Sequence, residues 1–398
     1  MMPKEIEGLK IAQFCDNYFP QVDGVVKVVH NYTKIMYQRG EVKLVVPRYS
    51  KKYYFDDSQL PYKVDRKKTL CFDIGGVTSP LPLPTPKLTK EIKKFAPDII
   101  HVHAPAFIGK YALRLGRRYK IPVVATFHSQ YRKDILSTTH SKFITAIAMK
   151  IIMNFFNKCD EVWAPSKSSA SILKSYGYKK YIHIMPNGTD FSYPENADQL
   201  ITSAREKYGI HKENKNLLYV GQLRYVKNLR LCLKTMKLLV REDPTYHFYL
   251  VGEGMDYKNL KAYVKKHNLK ENVHFLGPVK DVETLSGIYG AADLFFFPST
   301  YDTFSIVVRE ASVMRIPSLV TEGSNVAEPF IDGENGYIAK EDAEAMKERI
   351  IEIFNDDEKR QKVGKTASET IPITFETMVD LTLERYQYLV DNYSNKSK

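Results

Sequence analysis

The sequence predicts an α/β fold of two doubly wound, Rossmann-like domains facing each other across a cleft. Three observations predict it. Short apolar segments alternate with stretches of helical periodicity, the pattern of a parallel sheet covered on both faces. The alternation stops at Pro186-Asn187-Gly188 and restarts beyond it. The 398 residues suffice for two domains of ordinary size.

Taken in order, Lys10–Phe14 reads as a strand and Val25–Arg39 as the helix that follows it. Glu41–Val46 is a second strand. A basic, irregular stretch then runs to about Lys68, and Thr69–Ile74 has strand character. Pro80-Leu81-Pro82-Leu83-Pro84-Thr85-Pro86 reads as a loop, because its prolines exclude both a helix and an inner strand. Asp98–Val102, Pro122–Thr126, Glu161–Ala164 and Tyr181–Met185 are further short strands, with helical stretches between most of them.

In the second half Asn216–Val220, His247–Val251, Val273–Leu276, Leu294–Phe297 and Ser318–Val320 read as strands. Asn228–Arg241, Tyr257–His267, Val282–Ala291 and Ser305–Met314 are the helices between them. Phe375–Asn392 carries Met378, Leu381, Leu383, Tyr386 and Leu389 at helical spacing and reads as a closing helix, placed to cross back to the first domain. The expected domains are residues 1–187 and 188–370, with the closing helix in 371–398.

Composition narrows the function classes. Hydrophobic residues make up 43% and charged residues 26%, which is globular and not disordered. Cys15, Cys71, Cys159 and Cys232 are scattered without a C-x-x-C, so neither a disulfide framework nor a zinc site is expected, and a reducing compartment fits. The N-terminus has no apolar signal-peptide core, and no apolar run is long enough to span a membrane. The net charge of +13 is uneven: residues 1–185 hold 31 Lys and Arg against 14 Asp and Glu, a net of +17, and the remainder nets −4. A basic half of this kind fits either an anionic partner or a solvated surface.

The most informative segment is Tyr301-Asp302-Thr303-Phe304-Ser305-Ile306-Val307-Val308-Arg309-Glu310. It follows the strand Leu294–Phe297 and opens a helix. Free amides and the positive end of a helix dipole meet there, which suits a phosphate, while Asp302 and Glu310 can accept bonds from hydroxyls. A ligand with phosphates in the middle and hydroxyls at both ends is a nucleotide sugar.

Other loops point the same way, each more weakly. Gly24 lies at a strand-to-helix junction, where backbone can approach a ligand, although plain turns look alike. His101, His103 and His128 end neighbouring strands, and His128 is the one assigned to the site. Val220-Gly221-Gln222-Leu223-Arg224-Tyr225-Val226-Lys227 places Arg224 and Lys227 after a glycine turn, where they can grip a diphosphate. Val251-Gly252-Glu253-Gly254 is a poor dinucleotide fingerprint, which argues against a nicotinamide-dependent dehydrogenase.

Together these motifs resemble the family-four retaining glycosyltransferases of the GT-B fold, over nearly the whole chain and in the same order. The chain departs from the family pattern at Asp302, where glutamate is usual, and at Gln222, where arginine is usual. The resemblance implies that Glu310 binds the donor ribose and that the amides of Phe304, Ser305, Ile306 and Val307 contact phosphate. It further implies that Gly221 and Lys227 belong to the diphosphate grip, with Arg224 in a position to compensate for the arginine missing at Gln222. Asp302 and His128 would lie by the donor sugar, and Gly24 near the diphosphate. It implies a retaining transfer with no cofactor beyond the nucleotide sugar, UDP-linked by analogy. The sequence has no D-x-D, which suits transfer without metal.

For the acceptor, residues 101–158 hold ten Lys and Arg against one acid, Asp134. Phe143–Phe156 is amphipathic, with Ile144, Ile147, Ala148, Ile151 and Phe155 grouped on one face. This combination reads as a surface for anionic lipid, and packing onto the sheet is the plainer alternative. Diacylglycerol glucosyltransferases in the family are likewise basic in this half. The expectation is a peripheral enzyme on the inner face of the cell membrane, with a lipid acceptor. A soluble or polyprenyl-linked glycan acceptor is the alternative. A nucleic-acid-binding protein is the reading from another class, and no recognition motif supports it.

Overall fold

The computed structural model describes residues 8–21, 23–49, 54–74, 77–82, 86–302 and 304–396. The chain divides into two compact units: Met1–Gly188 with Thr374–Lys398, and Thr189–Ile373.

In the first unit the strands are β1 (Lys10–Phe14), β2 (Glu41–Arg48), β3 (Val64–Ile74), β4 (Val77–Pro82), β5 (Ile99–Val102), β6 (Val123–Thr126), β7 (Glu161–Ala164) and β8 (His183–Ile184). They form one sheet in the order β4-β3-β2-β1-β5-β6-β7-β8. All its pairings are parallel except β3 with β4. β1, β5, β6 and β7 are buried almost throughout, which is why they read as apolar runs instead of alternating.

The proline stretch departs from expectation. Pro80 and Pro82 lie in β4, paired antiparallel with β3 at Cys71↔Pro80 and Thr69↔Pro82. β4 is the outer strand of the sheet, so a missing N–H on its free side breaks no ladder bond. Pro86 opens the helix Pro86–Phe95, where a proline N–H is not needed. The Leu83-Pro84-Thr85 part of that expected loop lies outside the described residues.

The closing helix, Phe375–Lys396, belongs to the first unit and packs against the helix Gly24–Arg39. Met378, Val379, Leu383 and Tyr386 are buried. Tyr386 stacks on Trp163, with ring centroids 5.5 Å apart. Arg39 pairs with Asp380, and Arg385 Nε donates to Glu161 at 3.0 Å.

In the second unit β9 (Lys215–Val220), β10 (Tyr246–Val251), β11 (Val273–Gly277), β12 (Leu294–Phe297), β13 (Ser318–Thr321) and β14 (Tyr337–Ala339) make a parallel sheet in the order β11-β10-β9-β12-β13-β14. The chain winds outward from β9 through β10 and β11, then returns to β12 and winds the other way. The switch point therefore lies between β9 and β12, and doubly wound sheets bind ligands outside the carboxyl ends of such strands. A single apolar core joins the sheet to its helices, with Leu217, Leu218, Phe295 and Phe296 at its centre. No helix among the described residues is long and apolar enough to cross a membrane.

Candidate functional site

Four turns of chain meet at the switch point of the second unit. After β9 the chain turns at Gly221, whose φ of +152° L side chains rarely adopt. The following strand turns at Gly252, where a Cβ would stand 2.0 Å from the Gly221 carbonyl oxygen. The two glycine turns thus pack backbone on backbone, and Leu223 N donates to Glu253 O at 2.9 Å. This fixes the path that carries Arg224 and Lys227. Arg224 Nε is buried without a hydrogen-bond partner, while Gln222 is exposed. A buried guanidinium edge left unsatisfied is suited to an anion.

Lys227 ends a short 3-10 turn, Tyr225–Lys227. Its ammonium forms an ion pair with Asp302, from the loop after β12, and lies 5.1 Å from the centroid of the Tyr301 ring. Asp302 accepts a second bond from the Ser299 hydroxyl at 2.5 Å, and Asn325 Nδ2 holds its backbone carbonyl at 3.0 Å. The sequence assigned Lys227 to phosphate and Asp302 to sugar hydroxyls. The structure joins the two, so each neutralises the other when no donor is bound.

The helix Ile306–Val313 begins just beyond. Ser305 stands at its N-cap without a side-chain capping bond, and no acid occupies the first turn. The amides there have no carboxylate competitor from within the turn. Thr303, within the same motif, lies outside the described residues. Glu310 is only 2% exposed and accepts from the Tyr289 hydroxyl at 2.9 Å. Burial, then the charge of Glu310, raises the Tyr289 phenol well above its usual range, so it remains a donor.

Arg309, which the sequence reading passed over, lies against this helix start. It is buried, its Nη1 donates to Ser305 O at 3.0 Å, and its guanidinium lies 3.4 Å from the Phe304 ring centroid. Burial pushes its pKa down to about 9. An arginine inside the apolar start of a helix was the available signal. Tyr289 gave none, since it sits in an ordinary apolar pattern.

In the first unit His128 follows β6 and is buried. His128 Nε2 lies 3.2 Å from His103 Nδ1, and His103 Nε2 lies 3.2 Å from Gln13 Oε1. His101 bonds Thr126 Oγ1 at 2.7 Å and the Tyr386 hydroxyl. Burial pushes His128 down to about 4 and His101 to about 3, the latter helped by His128, and it takes His103 well below the usual range. The three imidazoles are therefore neutral near pH 7. Gln13 and His103 orient His128; the strand-end alternation of histidines was the sequence signal for this row.

Gly24 is exposed, and the space a Cβ would enter is open. The helix it opens already carries a cap: Asp23 Oδ1 accepts from Val26 N at 2.8 Å. No group of three or more His, Cys, Asp and Glu suited to a metal occurs among the described residues.

Two doubly wound sheets, parallel but for the β3–β4 pair, are the architecture of the GT-B class. Comparison with known proteins is specific about the family. Residues 22–193 match Glycosyltransferase Family 4, and residues 201–370 match Glycosyl transferases group 1. The chain is a glycosyltransferase and belongs to the GT-B proteins that combine these two domains.

Among its relatives is an alpha-monoglucosyldiacylglycerol synthase of Acholeplasma laidlawii, 24% identical over 98% of this chain and 99% of that protein. The enzyme of the same name from Streptococcus pneumoniae is 24% identical over 78% of this chain and 70% of its own length. In structure the chain is similar to Anabaena HepE, solved in complex with UDP. The TM-score is 0.77 at 18% identity, covering 96% of this chain and all of that one.

Proposed function

We propose that this enzyme transfers a hexose from a UDP-linked sugar to a membrane lipid acceptor such as diacylglycerol, with retention and without metal. The observation that carries the donor half is the Lys227–Asp302 pair at the β9/β12 switch point, beside a helix start with no side-chain cap. A diphosphate entering there would take Lys227 and the helix amides, and Asp302 would turn to the sugar hydroxyls. Arg224 would complete the grip, and Glu310, steered by Tyr289, would hold the ribose. As the glycosidic bond breaks, charge develops on the leaving diphosphate, and fixed cations and amides stabilise it where it forms. HepE, with UDP bound, supports a uridine donor by likeness of fold.

The acceptor half rests on the alpha-monoglucosyldiacylglycerol synthases. UDP-glucose is itself α-linked, so an α-linked product corresponds to retention. The enzyme would then work peripherally, on the inner face of the cell membrane. The test supplies UDP-glucose with diacylglycerol in mixed micelles, with and without chelator, and examines the lipid extract by NMR. An α-glucosyl lipid formed equally with chelator is expected. No glycolipid, with transfer to a soluble or polyprenyl-linked acceptor instead, would replace the lipid reading.

A further inference from the structure

We infer that the helical hairpin formed by Tyr131–Thr139 and Lys142–Lys158 is the surface through which this protein docks on an anionic lipid bilayer. The two helices pack on each other, and Ser141 caps the second by accepting from Ile144 N at 3.3 Å. The second helix has two unlike faces. Thr145, Met149, Met153, Phe155 and Phe156 are buried. Phe143 is 75% exposed, and Ile144, Ile147 and Ile151 are 43–49% exposed. These four recur at helical spacing, so they form one stripe pointing away from the core. Leu136, from the first helix, is also exposed. The sequence had grouped Phe155 with the isoleucines; the structure buries Phe155 and puts Phe143 in its place.

Charge selects the occupant. Arg132, Lys133, Lys142, Lys150 and Lys158 are all exposed. Asp134 is the one acid between residues 131 and 158, and the second helix has none. A protein partner would need an apolar groove ringed by acids. A bilayer containing acidic lipid supplies an apolar interior beneath a negative surface, and it meets the stripe and its cations together. The nearby helix Phe107–Tyr119 extends the same character, with exposed Phe107, Arg114, Arg117 and Arg118. No helix of the described residues can span the membrane, so attachment here lies in the interface.

This inference deepens the lipid-acceptor reading, and its test is separable from it. Purified full-length protein, without donor, is sedimented with vesicles of phosphatidylcholine alone or mixed equally with phosphatidylglycerol. Wild type should pellet with the mixed vesicles only, and less at high salt. Phe143→Ser/Ile147→Ser should lower the partition coefficient at least about tenfold, since it removes the most exposed side chain of the stripe together with its central isoleucine. Lys142→Gln/Lys150→Gln should lower it severalfold at low salt. Both pairs are exposed, and an unchanged UDP thermal shift confirms the fold. Variants that pellet like wild type would overturn the inference. So would a wild-type dimer that the serine variant dissociates, because the stripe would then be a contact between copies. Vesicle docking without glycolipid synthesis would leave the inference standing and remove the acceptor reading. Glycolipid synthesis in detergent by a protein that ignores vesicles would do the reverse.

Discussion

Replacing Asp302 by Asn should tighten UDP binding while slowing transfer. The side chains of Lys227 and Asp302 are 13% and 18% exposed, so the pair is shielded from bulk water. Two unit charges 4 Å apart attract by about 1 kcal/mol in water and about 4 kcal/mol at an effective dielectric near 20. Desolvation and lost side-chain freedom offset much of that, leaving a net coupling of about 1–2 kcal/mol. Any phosphate must compete with this coupling for the Lys227 ammonium. Asparagine removes the competing charge and keeps an oxygen for the Ser299 hydroxyl. UDP should then bind roughly five- to thirtyfold more tightly by calorimetric titration. Turnover of UDP-glucose should fall at least about tenfold, because the carboxylate for the sugar hydroxyls is gone. In the Lys227→Ala background the gain in UDP affinity should vanish, and this double-mutant cycle isolates the pair. Unchanged or weaker UDP binding in D302N would show that Lys227 is not the phosphate ligand.

Lys227→Ala and Glu310→Gln should each reduce turnover at least roughly tenfold, a loss of about 1.4 kcal/mol, measured with folding checked by circular dichroism. Tyr289→Phe removes the donor to Glu310 Oε2 and should raise the KM for the sugar donor severalfold with little change in kcat; it should also lower stability by about 1 kcal/mol. Acid should destabilise the first unit. His128, His101 and His103 have folded pKa values below their unfolded ones, so their contribution is full above about pH 6.5 and is lost as pH falls toward 4. Burial raises Asp16 to about 6, so it acts in the opposite sense and favours the folded state as pH falls below that value. Near pH 5 these imidazoles, and the half-buried His183 with them, would take up protons on unfolding while the Asp16 carboxyl releases one, so stability should fall as pH drops from about 6.5 toward 4. Chemical denaturation across pH 4–7 checks this, and His101→Asn should flatten the curve.

The sheets were legible because buried parallel strands are short apolar runs, and Leu294–Phe297 or Glu161–Ala164 can hardly be anything else. β4 was not legible, because prolines exclude a strand unless it is at an edge, and edge position is a property of the assembled sheet. β14 was passed over because Tyr337–Ala339 is too short to show a period. The highly charged helix Asp357–Thr370 buries only a narrow stripe, including Val363 and Ala367. Among candidate site residues, Asp302, Lys227 and Glu310 stood out as charged groups at strand ends and helix starts. Their pairing did not, since it depends on β9 lying beside β12 across 75 residues of sequence.

The electrostatics of the two helix starts favour the second unit for the proposed donor. Both helices follow a strand bordering the switch point of their sheet. In the first unit Asp23 already supplies a carboxylate to the helix Gly24–Arg39, satisfying an amide and opposing the dipole. A phosphate arriving there would meet a like charge. In the second unit the corresponding turn carries no acid, and Ser305 makes no side-chain cap. Arg309 adds a cation beneath it, with Nε buried and unpartnered. The fall in its pKa to about 9 expresses the strain of holding that charge away from water. A buried cation, offset only in part by the charge of Glu328, and uncapped amides are each destabilising alone, and an anion bound between them would relieve both. Loss of the cation in Arg309→Met should therefore weaken UDP binding severalfold while raising the melting temperature of the ligand-free protein, because a thioether fills the site without a desolvated charge. A variant that binds UDP normally, or is less stable without it, would mean that Arg309 serves packing on Phe304 and not the donor.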